Sequence, residues 1–294
     1  MSGRSYLFLV NEKARGGDAV GRLQQLLERE PLKGAAVRVM SFADEDGLQR
    51  GLEALTQDQV PVAVGGDGTV TAVARRLRAG ARGPLGILPL GTGNGVAYSL
   101  GITSVSQAVR VLEEGVERPI DVMTTTHPQA PLSLLSVGVG LESRVMADFQ
   151  AWRHRSRWLG AAVGCGRWAL RRVSGVTVEA DGERVIEPAD RFYNVGLFNM
   201  PCYGFGVTPC PAADPADGRA DLRVHRWGHG YWAYMGAAVV RCTSPLARTP
   251  DWPRVQRVTI STTMPLQIDG ETVAPATVSI EVVPQGLSLL APSL

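Results

Sequence analysis

The stretch Val62-Ala63-Val64-Gly65-Gly66-Asp67-Gly68-Thr69-Val70 decides the fold of the first part of this chain. An apolar run ends there at glycines, an aspartate and a threonine. Helical spacing follows, which puts Val70, Val73, Ala74 and Leu77 on one face. Glycine lets the backbone approach a ligand closely, and the N–H groups that begin a helix attract phosphate. The stretch therefore predicts a strand, a phosphate-binding turn and a helix.

The same pattern returns about twenty residues later. Residues 85–90 read as a strand, Gly91-Thr92-Gly93-Asn94-Gly95 as a turn, and 96–100 as a short helix. Because parallel strands place their carboxyl ends at one edge of a sheet, two such turns predict a phosphate-binding crevice.

The chain changes character near Arg118-Pro119. Before that point strands and helices alternate, which predicts an α/β domain with a parallel sheet covered by helices. After it, short strands separated by turns predict a mostly antiparallel β domain, with a helix from Leu141 to about Arg172. We therefore expect domains at residues 1–120 and 121–294.

Composition excludes several classes of protein. The net charge is only +2, and only Lys13 and Lys33 among the 30 basic residues are lysines, so neither a dedicated nucleic-acid binder nor a lysine-bearing P-loop is expected. The four cysteines form no Cys-x-x-Cys pair, which argues against zinc and favours a reducing compartment. No apolar run is long enough to span a membrane, so we expect a cytoplasmic protein.

The two glycine loops, with motifs that follow in order, resemble the diacylglycerol kinase catalytic superfamily. The further motifs are Asn11 with Gly16 and Gly17, Gly138-Val139-Gly140-Leu141-Glu142, Asn199 with Tyr203-Gly204-Phe205-Gly206, the segment 211–222, and Gln267-Ile268-Asp269-Gly270-Glu271. The chain departs from the family pattern at Glu12, Thr71, Ala72 and Gly95. The resemblance implies an NAD kinase- or phosphofructokinase-like first domain, a β-sandwich second domain, and ATP-dependent phosphorylation of a diacylglycerol-like or sphingoid lipid.

The resemblance also assigns nucleotide contacts, which are Asn11, Ser41, Gly65, Gly66, Asp67, Gly68, Thr69, Val70, Thr71, Gly91, Thr92, Gly93 and Asn94. Asp67 would orient metal-bound phosphates or the ribose. The alternative is that Asp67 is an acid favoured by the helix dipole. For Ser41 the alternative is a cap on the helix near Asp44.

By the same resemblance, Glu271 is the general base that takes the proton of the lipid hydroxyl, and Asp269 contacts metal or nucleotide. Two acids two residues apart on a strand would face the same side. The alternative is an ordinary Asp-Gly hairpin turn.

A magnesium ion is implied near Asp214, Asp217 and Arg219, where oxygen ligands and a glycine suit this metal. The alternative is a solvated turn.

Residues 149–178 contain no acid but six arginines, together with Trp152, Trp158 and Trp168. Tryptophan and arginine favour a lipid–water boundary, so we expect peripheral contact with a membrane surface. The alternative is a docked helix with solvated arginines.

Two rival functions stay open. An NAD kinase shares the first glycine loop, and a non-catalytic nucleotide or lipid sensor would tolerate the departures from the family pattern. The sequence leaves open which lipid is the substrate. It also leaves the oligomeric state open, and a homodimer is one of the options.

Overall fold

The computed structural model describes residues 4–13, 18–30, 32, 34–80, 83–152, 171–204, 206–226, 231–233, 235–236 and 253–293. Gly16, Gly17, Phe205, Trp158 and Trp168, with most of the predicted membrane-contact segment, lie outside these residues. The chain forms two compact units. One is Met1–Ile120 with Gln285–Leu294, and the other is Asp121–Pro284.

The first unit is an α/β domain, as the sequence predicts. Its elements are β1 (Ser5–Asn11), α1 (Ala19–Arg29), β2 (Ala36–Phe42), α2 (Glu45–Glu53), β3 (Gln59–Gly65), α3 (Asp67–Gly80), β4 (Gly86–Pro89), α4 (Gly95–Ser99) and α5 (Val105–Glu114). The strands form a sheet in the order β2-β1-β3-β4, and every neighbouring pair is parallel.

The burial of each strand explains its composition. Strands β1 and β3 lie inside the sheet, and Leu7 to Val10 and Val62 to Val64 are fully buried, as expected for apolar runs in a covered parallel sheet. The edge strand β2 is mostly exposed. The residue before helix α2 is its N-cap, Asp44, whose carboxylate accepts the Gly47 N–H at 2.8 Å. Asp44 is therefore the cap, and the capping alternative for Ser41 is wrong.

The second unit is mostly antiparallel β-structure, as predicted. The remaining elements are β5 (Val116–Thr125), β6 (Leu132–Ser133), β7 (Ser136–Gly140), α6 (Leu141–Trp152), β8 (Val176–Ala180), β9 (Glu183–Ile186), β10 (Asn194–Phe198), β11 (Ala220–His225), β12 (Arg254–Val255), β13 (Arg257–Thr262), β14 (Leu266–Ile268), β15 (Glu271–Val273) and β16 (Thr277–Ala291). They form two sheets, in the orders β12-β11-β10-β7-β14-β15 and β6-β5-β16-β13-β8-β9. Buried residues from both sheets, such as Val139 and Ile260, share one apolar core.

The last strand differs from the prediction. The pattern of short strands separated by turns predicts a separate strand over residues 288–290, but these residues continue β16, which runs unbroken from Thr277 to Ala291. The Leu85 N–H donates to the Ser288 carbonyl at 2.9 Å, and the Leu290 N–H donates to the Leu85 carbonyl at 3.0 Å. These bonds attach the end of the chain to the segment before β4, so residues 285–294 group with the first unit.

The described part of helix α6 runs from Leu141 to Trp152. In the portion of the chain described here, no helix has the length and apolarity required to cross a bilayer.

Candidate functional site

The two glycine loops follow β3 and β4, which are neighbours in the parallel sheet. The Gly91 N–H donates to the Gly65 carbonyl at 3.0 Å. A Cβ atom on Gly91 would lie 2.1 Å from the Gly66 Cα and 2.7 Å from the Gly66 nitrogen. Because these are backbone atoms, only glycine permits the approach. The loops therefore form one continuous backbone surface.

Asp67 connects the two loops. Its Oδ1 atom accepts the Val96 backbone N–H at 2.9 Å, in the first turn of α4. A carboxylate that accepts a backbone N–H at a helix N-terminus is stabilised by hydrogen bonding and by the helix dipole. The sequence did not reveal this contact, since the two residues are 29 positions apart. Asp67 thus holds the second loop in place, and this structural role is separate from its predicted contact with a ligand.

Asn11 brings the end of β1 to the first loop. Its Nδ2 atom donates to the Thr69 hydroxyl at 3.1 Å, and its Oδ1 atom accepts the Lys13 N–H at 3.0 Å. Thr69 is buried, as is Val70, whose N–H donates to the Gly66 carbonyl at 3.1 Å. Asn11, Thr69 and Val70 therefore shape the turn from within.

The other residues of the two glycine loops form the part of the loop surface that solvent can reach. Gly68 and Thr92 are exposed, and Gly93 is half-buried. Asn94 has a left-handed backbone, with φ of 56°, and its Nδ2 atom donates to the Gly91 carbonyl at 3.1 Å. Since Gly68 lies in the first turn of α3, where N–H groups lack intrahelical partners, this face can bind an anion.

Two other predicted nucleotide contacts lie apart from the loop turns. Thr71 is half-buried inside α3, and Ser41 is an exposed residue of the edge strand β2.

Asp269 lies in a tight turn, and both of its carboxylate oxygens accept hydrogen bonds from the segment 133–136. Its Oδ1 atom accepts the Ser133 hydroxyl at 2.6 Å and the N–H groups of Leu135 and Ser136 at 2.9 and 3.1 Å. Its Oδ2 atom accepts the Leu134 N–H at 2.8 Å. Both carboxylate oxygens thus fix the connection between β6 and β7. This geometry offers no support for the predicted contact of Asp269 with metal or nucleotide.

Glu271 lies on the far side of the same turn. Asp269 and Gly270 have φ of 50° and 82° and join β14 to β15, which Glu271 begins. The prediction that both acids project from one strand face is therefore wrong, because a hairpin turn separates them. Glu271 is exposed, and no side-chain hydrogen bond or ion pair is recorded for it among the described residues. It remains the carboxylate in this turn that is accessible to a substrate.

A second Asp-Gly-Glu turn in the same unit provides an internal comparison. Asp181 and Gly182 have φ of 48° and 89°, and Glu183 begins β9. The Asp181 carboxylate accepts the N–H groups of Gln256 and Arg257 at 3.0 and 2.8 Å. In both turns the aspartate anchors a neighbouring segment and the glutamate is exposed. The aspartate is therefore a structural part of this turn, and the difference between the two sites lies in what surrounds the glutamate.

We expect Asp269→Asn to destabilise the protein by about 3 kcal/mol, because hydrogen bonds to a charged acceptor are worth roughly 1.5–3 kcal/mol and the amide NH₂ would face backbone donors. Urea unfolding measures this loss. Asp181→Asn is the matched control and should cost less, since Asp181 is exposed. Unchanged stability in Asp269→Asn, with loss of ATP binding, would restore the ligand-contact role.

The predicted magnesium residues form a salt-bridged turn. Asp217 pairs with Arg254 at 2.9 Å and accepts the Arg219 N–H at 2.9 Å. Asp214 accepts the Ala216 N–H at 3.0 Å, and the Arg219 guanidinium donates to the Arg254 carbonyl at 3.0 Å. Within the described ranges no three His, Cys, Asp or Glu side chains converge as a metal site. The Asp217 carboxylate thus already has a cationic partner, and the magnesium site that the resemblance implies at these residues, with backbone carbonyls among its ligands, stays a prediction.

A half-buried acid in the second unit lies in a setting that the sequence did not indicate. Glu142 appeared only as the last residue of a glycine motif, yet its carboxyl group lies inside the protein beside a cavity of about 340 Å³. Burial raises the pKa of this carboxyl above the usual 4.5, while hydrogen bonds from Tyr203 and Tyr231 oppose the shift. The only sequence signal for it is its place in the first turn of a helix, directly after a short glycine motif.

The parallel sheet with paired glycine loops and the antiparallel second unit together define a kinase of the diacylglycerol kinase type. A model of the diacylglycerol kinase catalytic domain matches residues 5–125, and a model of the YegS C-terminal NAD kinase beta sandwich-like domain matches residues 135–291. The chain therefore belongs to the YegS-like lipid kinases.

Individual relatives agree with this assignment. A protein named "probable lipid kinase YegS-like" from Klebsiella pneumoniae is 28% identical over 271 residues, covering 87% of this chain and 82% of that protein. One of the same name from Pseudomonas aeruginosa is 31% identical over 229 residues, covering 74% and 71%. A solved structure of a diacylglycerol kinase from Bacillus anthracis str. Sterne has a TM-score of 0.75 at 19% identity, covering 99% of this chain and 98% of that one. This last likeness shows the shared fold.

Proposed function

We propose that this lipid kinase uses ATP and transfers its γ-phosphate to a hydroxyl group of a diacylglycerol-like or sphingoid lipid. The observation that carries the proposal is the hydrogen bond from the Val96 N–H to Asp67, which joins the two glycine loops into one surface. A ligand with several adjacent anionic groups, such as a triphosphate, suits a surface made from two loops better than a single phosphate does.

The nucleotide phosphates bind at the exposed face that includes Gly68 and Thr92. The N-terminus of α3 and the backbone N–H groups supply the positive potential there, since neither loop carries a lysine. Magnesium accompanies ATP as part of the substrate and neutralises phosphate charge.

Glu271 takes the proton from the lipid hydroxyl as that oxygen attacks the γ-phosphorus. Phosphoryl transfer depends mainly on positioning and charge neutralisation, and a carboxylate commonly accepts the proton of the attacking hydroxyl. Glu271 suits this role because it is exposed and its turn is rigidly anchored through Asp269.

We expect Asp67→Ala to weaken ATP binding roughly tenfold, about 1.4 kcal/mol, because the Val96 N–H loses its acceptor in the first loop while the bond from Gly91 to Gly65 remains. Titration calorimetry with MgATP measures this change. Asp67→Asn should recover most of the affinity, since the amide oxygen accepts the same Val96 N–H. If Asp67→Asn binds ATP as poorly as Asp67→Ala at equal thermal stability, the charge itself contacts the nucleotide. Wild-type affinity in Asp67→Ala would show that the link is dispensable.

The direct test of the proposed function is transfer of labelled phosphate from ATP to a panel of acceptors. The panel contains diacylglycerol, monoacylglycerol, sphingosine, ceramide and phosphatidylglycerol, with NAD as a further acceptor. Label on a lipid supports the proposal and names the substrate class. Label on NAD alone would identify an NAD kinase, and ATP binding without transfer to any acceptor would identify a non-catalytic relative.

A further inference from the structure

Glu271 lies between two residues that are hydrogen-bonded to one neighbouring segment of the chain. On one side, the Asp269 carboxylate accepts hydrogen bonds from residues 133–136. On the other side, both backbone polar groups of Ala274, the residue after β15, contact the loop that joins β5 to β6. Since no side-chain partner is recorded for Glu271 among the described residues, these two anchors set the position of its carboxylate.

The His127 ring is the buried part of the anchor at Ala274. Its Nε2 atom lies 3.1 Å from the Ala274 carbonyl oxygen, and its Nδ1 atom accepts the Gln129 N–H at 3.3 Å. A carbonyl oxygen only accepts and a backbone N–H only donates, so these contacts require a neutral ring with its hydrogen on Nε2. The Gln129 Oε1 atom in turn accepts the Ala274 N–H at 3.4 Å. One loop thus binds both the carbonyl and the N–H of the same residue.

The loop that carries His127 is itself held by hydrogen bonds. The Thr125 hydroxyl donates to the Ala130 carbonyl at 2.5 Å and accepts the His127 N–H at 3.1 Å. The Thr126 N–H donates to the Ser279 carbonyl at 3.0 Å, and the Thr126 hydroxyl accepts the Ser279 N–H at 2.9 Å. Ser279 belongs to the long strand β16. The imidazole therefore extends from a fixed base.

Strand β15 depends on such an anchor because it is short and lies at the end of its sheet. It has three residues and pairs with β14, which also has three. Short elements with few buried contacts open locally at a small cost in free energy. A bond just beyond the end of β15 opposes this opening, in the same way as the Asp269 bonds do before its beginning.

We propose that His127 is a positioning residue for Glu271. Its bond to Ala274 holds β15, the strand that Glu271 begins, so that the carboxylate keeps one position. A displacement of about 1 Å in a reacting group can lower a rate roughly a hundredfold, so a residue that does not touch the substrate can still control turnover. The inference rests on the proposed function, because the position of Glu271 affects transfer only if Glu271 is the base.

Two substitutions separate the two nitrogen atoms of the ring. His127→Asn keeps an acceptor for the Gln129 N–H, as in the turns that asparagine forms with the residue two positions on, but its side chain is too short to reach Ala274. His127→Gln places an amide NH₂ group near the position of Nε2, from which it can donate to the Ala274 carbonyl.

The two variants should therefore differ in turnover. In single-turnover assays with MgATP and the lipid identified by the panel assay, His127→Asn should lower the rate by roughly tenfold or more, and His127→Gln should keep it within about threefold of the wild type. ATP affinity should be unchanged in both. Each variant loses one of the two ring contacts, so equal loss of turnover in both variants at equal thermal stability would show that His127 only supports its loop, and would overturn the inference.

A double substitution tests whether His127 acts through Glu271. Effects of residues that act as a unit are not additive, and a positioning residue has nothing left to position once the base is removed. Adding His127→Asn to Glu271→Gln should therefore lower the residual rate by less than about twofold. A further loss as large as that in the wild-type background would show that His127 acts independently of Glu271, which would also overturn the inference.

Hydrogen exchange separates failure of this inference from failure of the proposed function. The backbone amides of β15 are followed by nuclear magnetic resonance in the intact protein without ATP or lipid. They should exchange about tenfold faster in His127→Asn than in the wild type, and near the wild-type rate in His127→Gln. Wild-type exchange in His127→Asn would overturn the inference even if lipids are phosphorylated. Faster exchange in His127→Asn, with no phosphate transfer to any acceptor by the wild type, would leave the anchoring of β15 standing and remove the kinase proposal.

Discussion

Glu271→Gln is expected to lower the single-turnover rate of phosphate transfer by about a hundredfold to ten-thousandfold, the range typical for loss of a positioned base. Glutamine has nearly the same shape as glutamate and keeps an acceptor oxygen, but it does not take up a proton at neutral pH. Because Glu271 is exposed and has no recorded side-chain partner among the described residues, the substitution should leave folding unchanged. ATP affinity should stay within a few fold.

The second Asp-Gly-Glu turn supplies the control for this experiment. Glu183→Gln changes the same residue type, at the same position of a turn with the same backbone conformation, and should leave turnover at the wild-type rate. Rapid-quench measurement with the lipid identified by the panel assay compares the two variants. Normal turnover in Glu271→Gln would remove Glu271 as the base.

Gly91→Ala is expected to destabilise the protein by about 3 kcal/mol, at the upper end of the usual cost of overpacking, and to weaken ATP binding at least tenfold. The added Cβ atom would lie 2.1 Å from the Gly66 Cα, and neither backbone atom can move without separating the two loops. The midpoint of thermal unfolding should fall by roughly 6–12 °C, at about 2–4 °C for each kcal/mol in a protein of this size.

Gly83→Ala is the matched control for this substitution. A Cβ atom on Gly83 would meet no other atom within 4 Å, so its effect should stay within about 0.5 kcal/mol. Calorimetric unfolding and MgATP titration of both variants decide the result. If Gly91→Ala unfolds and binds ATP as the wild type does, the loops tolerate separation and their contact is not required.

The parallel sheet and its glycine loops were predictable because their signals are local. An apolar run followed by glycines and then by helical spacing occupies fewer than twenty residues, as in Val62 to Leu77. The antiparallel second unit was predictable for the same reason, since short strands and turn residues alternate along it. Element boundaries were less accurate where a strand continued past a turn-like residue, such as Gln285 in β16.

The roles of the acids were not predictable, because each depends on contacts between distant segments. Asp67 bonds to Val96, and Asp269 bonds to residues more than 130 positions away. A two-residue spacing suggested that Asp269 and Glu271 share a strand face, but the left-handed backbone at Asp269 makes a turn there. Likewise, the hydrogen bonds to the Glu142 carboxyl group come from residues 61 and 89 positions later in the chain.

The grouping of residues 285–294 with the first unit has a consequence for biosynthesis. Residues 285–294, which include the partner of Leu85, are synthesised after Asp121–Pro284, so the first unit lacks a part of its structure while the whole of Asp121–Pro284 is being made. Domains made earlier usually fold earlier. In this chain the first unit is begun first but is completed only after the second unit already has all of its residues.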